Sequence, residues 1–307
     1  GQWTMAEDSA LRKELNNLLG LLVQDNLVQR ARQLFAHVLD TPGGMNIQTI
    51  HAFCQSLLGR FPLEAGVSPH FSLMDERDAE EMLISARENV FNRARSGIDT
   101  SLAKALANVT AHIHEAQFSE LLSDLTNARG RLRHLINSFG GILGVIANIE
   151  SLMSVASGET TESVIEEASK TMNLSETKLR LAILALSEGN EKDVVRGERI
   201  QAWLDEPSTR TGLFFDYASI FLTDLNKRDF NVRKILITKS AQKKAPDAVH
   251  ILVDEGLRLQ KIILHWRSVS IANSTSSLLV LGGSLLADYQ AQKEAKALID
   301  YDDLILM

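Results

Sequence analysis

The sequence predicts a mainly α fold, on three observations. Through most of the chain apolar residues recur three and four apart, the period that turns one face of a helix toward a core. Only five prolines interrupt the 307 residues, and proline is the residue that most disrupts helices. Beyond Pro246, the residues Val249, Leu252, Gly256, Leu259, Ile263 and Trp266 step by three, four, three, four and three, a coiled-coil-like seam.

Each element has a local cause. From Leu27 to Asp40, Val28, Ala31, Phe35 and Val38 line one face while Gln29, Arg30, Arg32 and Gln33 point away, as in an amphipathic surface helix. Ile47-Gln48-Thr49-Ile50 follows a Pro42-Gly43-Gly44 turn and reads as one short strand near 47–50, running directly into a helix that reaches residue 60. Asp75 precedes an acidic first turn, where a carboxylate satisfies free N–H groups and the helix dipole favours negative charge; a helix follows to about Arg95. Gly, Asn and Ser punctuation separates further helices at 101–114, 116–136, 142–156, 162–172, 176–187 and 191–205. Ser219–Leu222 and Lys234–Thr238 flank a polar stretch and suggest a β-hairpin near 219–239. The seam after Pro246 continues as a long helix, with Gly282-Gly283 as the place where it bends.

An apolar fraction of 45% and a charged fraction of 23% describe a folding globular chain, long enough for about two domains. No apolar run is read as approaching the roughly 18 uncharged residues of a membrane span, and the start lacks a signal-peptide layout, so the expectation is a cytoplasmic protein with no membrane partner. The single cysteine, Cys54, excludes an internal disulfide and a multi-cysteine zinc site. A net charge of -7 excludes a uniformly basic coat for nucleic acid. Positive charge is instead local: Lys227, Arg228, Arg233, Lys234, Lys239, Lys243 and Lys244 fall in one stretch with Asp229 as its only acid. That stretch is either a solvated loop protecting a hairpin edge or a phosphate-contacting surface. Arg129, Arg131 and Arg133 form a smaller basic group.

Several chemical readings fail on spacing. Nucleotide hydrolysis needs a glycine-rich loop ending in Gly-Lys-Ser/Thr, and no Gly-Lys pair occurs anywhere. Ile251-Leu252-Val253-Asp254-Glu255 has the apolar-then-acidic look of a Walker B strand but fits the helical seam, with Asp254 and Glu255 expected to face solvent. His51 and Cys54 have helical spacing but no orienting carboxylate nearby, and His112 and His114, two apart on a helix, point in different directions. No metal or catalytic site is expected.

The stretch Gly43–Leu58 places a strand against the start of a helix, a junction that often offers backbone amides and short polar side chains to phosphates. From the residues alone, Thr49 ends a strand, His51 lies on the surface and Phe53 packs in the core. Thr49-Ile50-His51-Ala52-Phe53-Cys54, followed by Arg60-Phe61-Pro62-Leu63-Glu64-Ala65-Gly66-Val67, resembles AddA-type subunits of bacterial AddAB helicase-nucleases, members of the UvrD-like superfamily-one DNA helicases. Ala297-Leu298-Ile299-Asp300-Tyr301-Asp302-Asp303-Leu304-Ile305 resembles the acidic segment these helicases place before their Walker B motif, and Phe221-Leu222-Thr223 and Ile237-Thr238-Lys239 fit the same pattern.

The resemblance implies an internal piece of a longer protein. Residues 1–75 would belong to the first RecA-like motor domain (1A), 76–297 to a helical 1B-type insertion, and 298–307 to the return toward a Walker B motif beyond. It implies DNA contact by Thr49, His51 and Phe53, single-stranded and duplex DNA as partners together with an AddB-type subunit, and a role in double-strand break repair and recombination. It further implies ATP and Mg2+ as cofactors of the whole helicase/exonuclease but of no site within this piece. The competing class is a helical protein-interaction module whose long seam binds a partner helix and which has no DNA role.

Overall fold

The computed structural model describes residues 2–41, 47–111, 113, 115–170 and 173–306. Within them the chain runs α1 (Gln2–Met5), α2 (Asp8–Leu19), α3 (Asp25–Asp40), α4 (Ile50–Arg60), β1 (Ser72–Leu73), α5 (Glu76–Arg95), α6 (Thr100–Thr110) and α7 (Glu115–Asn127). It continues through α8 (Arg129–Ser138), α9 (Ile142–Met153), α10 (Thr161–Lys170), α11 (Asn173–Ser187), α12 (Glu191–Asp205), α13 (Phe214–Phe221) and α14 (Lys239–Lys244). Last come α15 (Pro246–Ala295), β2 (Leu298–Ile299) and α16 (Asp303–Leu306). The fold is mainly α, as the periodicity predicts.

The strands are not where the sequence placed them. Residues 47–49 form no strand; Thr49 is extended but serves as the N-cap of α4, its hydroxyl oxygen accepting from the Ala52 N–H at 3.3 Å. The turn expected at Pro42-Gly43-Gly44 lies outside the described residues, as do His112 and His114. Ser219–Phe221 is the end of α13, and the expected hairpin reduces to one antiparallel bridge, Leu222 to Val232, with the Lys234–Thr238 backbone irregular. The strands that do form are β1 and β2, parallel, with Ser72 beside Leu298 and Leu73 beside Ile299.

Two compact units result, Gly1–Met74 with Ala297–Met307, and Asp75–Lys296. In the first, Leu11, Leu15, Val23, Val28 and Ala31 gather α2 and α3, while Leu58, Val67, Ile299 and Leu304 enclose the inner face of α4 with Cys54 packed against them. The apolar face expected on α3 is buried only at Val28 and Ala31; Phe35 is exposed. Asp300 and Asp303 cap each other's backbone N–H at the start of α16, at 3.2 and 2.9 Å, a reciprocal capping box.

The second unit is built on α15, a single 50-residue helix. Its N-terminal half, through Leu252, Leu259 and Ile263, shares a core with α11, α12 and α13, and its C-terminal half packs Leu281 and Leu285 against Val90, Leu102 and Val109 of α5 and α6. The seam residues Leu252, Gly256, Leu259 and Ile263 are therefore buried inside the unit, while Val249 and Trp266 are half-buried. Asp75 caps α5, accepting from the Asp78 N–H at 2.7 Å, and α5 ends at Arg95. The helix expected at 116–136 is two, broken at Ala128, whose φ of -89° and ψ of 8° leave the helical region. Glu255 is not solvent-facing but buried, whereas Asp254 is exposed. The expectation that no run approaches membrane-span length also needs correction: residues 268–287 carry no charge, and α15 is long and apolar enough by length and composition alone, with a window of mean hydropathy 1.4. Part of that window is packed against neighbouring helices, as a core helix requires.

Candidate nucleic-acid interface

In the first unit the candidate residues cluster at the start of α4. Its inner face, Cys54 and Leu58, faces the core; Thr49 and Phe53 are exposed, and the half-buried His51 ring meets Tyr301 edge-on with centroids 5.5 Å apart. Phe53 is 53% exposed, contrary to the residue-only reading that packed it inside. A free aromatic face beside a helix N-terminus combines a stacking surface with polar donors.

In the second unit the candidates lie between α13 and α15. All seven basic side chains, Lys227, Arg228, Arg233, Lys234, Lys239, Lys243 and Lys244, are exposed. The backbone beneath them is fixed at several points. Thr223 and Asn231 close the base of the loop: the Thr223 N–H donates to the Asn231 carbonyl at 2.9 Å, and the Asn231 N–H donates to Thr223 Oγ1 at 2.9 Å. Asp224 starts the turn, accepting from the Asn226 N–H at 3.0 Å. From α15, Arg267 donates to the carbonyls of Leu225, Lys227 and Arg228 at 2.7, 2.9 and 2.9 Å, and Gln260 donates to that of Phe230 at 3.0 Å. From α12, Arg196 donates to the Leu236 carbonyl at 2.6 Å, and the buried Asp193 carboxylate accepts from both the N–H and the hydroxyl of Thr238, so that α14 starts at a fixed place.

The seven differ in what they are free to do. Arg233 donates to the Ser219 carbonyl at 3.1 Å, where a cation is favoured by the C-terminal end of α13. Lys244 lies 3.4 Å from Glu188. Lys227, Arg228, Lys234, Lys239 and Lys243 have no ion pair among the described residues. Of the smaller group, Arg129 and Arg133 are half-buried and engaged, with Arg133 donating to Gln290 Oε1 at 3.2 Å, while Arg131 is exposed. Sequence reasoning missed Arg267, Gln260, Asp193 and Arg196. Their partners are set by folding at separations of 30 to 45 residues, and no local pattern marks them.

The family model of the UvrD/REP helicase N-terminal domain matches residues 22–307. The chain belongs to that family. No individual curated protein matches it. As a UvrD-like helicase domain it comes from a family of ATP-dependent DNA helicases, enzymes that bind DNA and use ATP and Mg2+. The residues present do not fit a nucleotide site, because no Gly-Lys pair exists to wrap phosphates. No group of three or more His, Cys, Asp or Glu side chains among the described residues has the arrangement of a metal site.

Proposed function

We propose that this chain is the DNA-handling region of an AddA-type subunit of a bacterial AddAB helicase-nuclease, acting in the cytoplasm in double-strand break repair and recombination. The helical residues 76–297 are its 1B-type insertion, guiding single-stranded and duplex DNA, and residues 1–75 and 298–307 belong to the motor domain. The division into compact units at Met74/Asp75 and Lys296/Ala297 supports these boundaries, and the Thr49–Cys54 and Arg60–Val67 stretches support the AddA-type assignment. ATP-driven movement, the nuclease and the contact with an AddB-type subunit belong to the longer protein.

One observation carries the DNA reading: an exposed basic segment whose backbone is held at Leu225, Phe230, Leu236 and Thr238 by side chains of α12 and α15. A floppy solvated loop has no use for that order. A surface that meets phosphates does, because pre-ordered cations lose less entropy on binding. Thr49, His51 and Phe53 supply a second, smaller contact in the motor segment.

Fluorescence anisotropy with single-stranded and duplex oligonucleotides tests this. Affinity should fall linearly on a log-log plot against salt, and Lys234→Ala/Lys239→Ala/Lys243→Ala should reduce the slope by about 0.7 to 0.9 per lost contact. Salt-independent binding, or none, rejects the reading. With no phosphate loop, the 307-residue chain should show no ATPase; a magnesium-dependent rate scaling with protein concentration would count against that expectation.

A further inference from the structure

We propose that Arg267 is the positioning residue of the basic loop, a guanidinium set from α15 into a ring of carbonyls so that Lys227 and Arg228 are presented together to nucleic-acid phosphates. The inference rests on the DNA reading above and names the residue that makes its loop competent.

Three observations lead to it. First, the loop between Thr223 and Asn231 has a ladder contact only at its base, so its tip depends on something other than strand pairing. Arg267 supplies that through the carbonyls of Leu225, Lys227 and Arg228, with its Cζ 4.6 Å from the centroid of the buried Phe230 ring. Carbonyls turned inward onto one cation leave the exposed side chains of residues 227 and 228 facing out. Second, a lysine does not reproduce this geometry: its ammonium also carries three donors, but only a planar guanidinium holds them in a fixed fork while laying a flat face on an aromatic ring such as Phe230. Third, the loop is neutral by count: Asp224 and Asp229 offset Lys227 and Arg228. Arg267 has no carboxylate partner among the described residues, so its charge is satisfied by carbonyl dipoles and the surface keeps a net positive charge. A staple built on an ion pair would order the loop equally well and cancel that charge.

The test is a mutational cycle on the 307-residue chain, read by anisotropy with a fluorescent oligonucleotide across salt. Lys227→Ala/Arg228→Ala should weaken binding about tenfold and lower the salt slope by about 2. Arg267→Lys keeps the charge yet should weaken binding about as much, with faster hydrogen exchange at amides 225–231. Adding Arg267→Lys to the double variant should cost nothing more, because Arg267 acts through the two residues already removed. A variant that merely lowers the folded fraction would weaken both backgrounds equally, so additive effects overturn the proposal, as does native binding by Arg267→Lys alone. If Lys227→Ala/Arg228→Ala itself binds normally, the DNA reading of this loop falls first, and the role of Arg267 falls with it.

Discussion

Glu255 shows how a single residue departs from its sequence context. Its carboxylate accepts from the Tyr217 hydroxyl at 2.9 Å and from Arg258 Nε and Nη2 at 2.8 Å each, while burial and the adjacent Glu255 charge push the Tyr217 phenol well above its ordinary range. Tyr217 is also stacked on Trp203, with ring centroids 3.8 Å apart. Tyr217→Phe should lower unfolding free energy in urea by about 1.5–3 kcal/mol, the loss of a hydrogen bond to a charged carboxylate. Glu255→Ala should cost about 3 kcal/mol, because Arg258 is left without its carboxylate. Glu159 gives the pH counterpart. Burial raises its pKa, but the His265 ring at 2.8 Å and the Ala156 N–H at 3.0 Å outweigh that and hold it below the ordinary glutamate range. A depressed carboxylate contributes stability above its unfolded pKa and loses it as pH falls through the folded value. The stability gap between the native chain and Glu159→Gln should therefore be present near pH 5 and shrink below about pH 4; a gap that widens as pH falls from about 5 to about 3 contradicts the assignment.

At the scale of elements, capping and periodicity are local and were legible, as α5 between Asp75 and Arg95 illustrates. The apolar run Ser219–Leu222 misled because Ile, Phe and Leu in a short stretch suit a strand. The longer pattern Phe214, Tyr217, Ala218 and Phe221, spaced three, one and three, carried the helical signal, and all four are buried in α13. The two-residue strands β1 and β2 had no such signal, since each exists only through the other across the length of the second unit. Gly256 of α15 tests element packing. Alanine in a helix interior is normally worth about 1 kcal/mol over glycine. Here a Cβ would lie 2.8 and 3.2 Å from the two γ-carbons of Val232, a stiff β-branched side chain of the basic segment. Gly256→Ala should thus destabilise by about 1–3 kcal/mol, and Val232→Ala should recover part of the loss in the double variant. Simple addition of the two costs speaks against the clash. At Gly283 the intruding atom is the flexible Ile142 Cδ1, which can rotate away, so the same substitution there should be milder.

On the scale of the whole molecule, the two units differ in how much apolar surface they enclose. The second has a large cluster around the N-terminal half of α15 and further clusters along the same helix, while the first leaves Ile47, Ile50, Phe53, Leu57 and Phe61 exposed. Hydrogen exchange should therefore be slowest in α15 around Leu252–Ile263 and measurably faster throughout α2, α3 and α4, reporting local opening below the global limit; uniform protection would show that the units unfold together. The sequence by itself determined the helical class, the caps, the long seam, the absence of a phosphate loop and the basic segment, because each is a short-range pattern or a composition. Tertiary structure alone decided that Glu255 is buried, that Phe53 is exposed, that the middle of the seam from Leu252 to Ile263 is internal, and that Arg267, Asp193 and Arg196 order the basic surface. Those facts rest on contacts between residues far apart in the chain, and burial and hydrogen-bond partnership exist only once such residues meet.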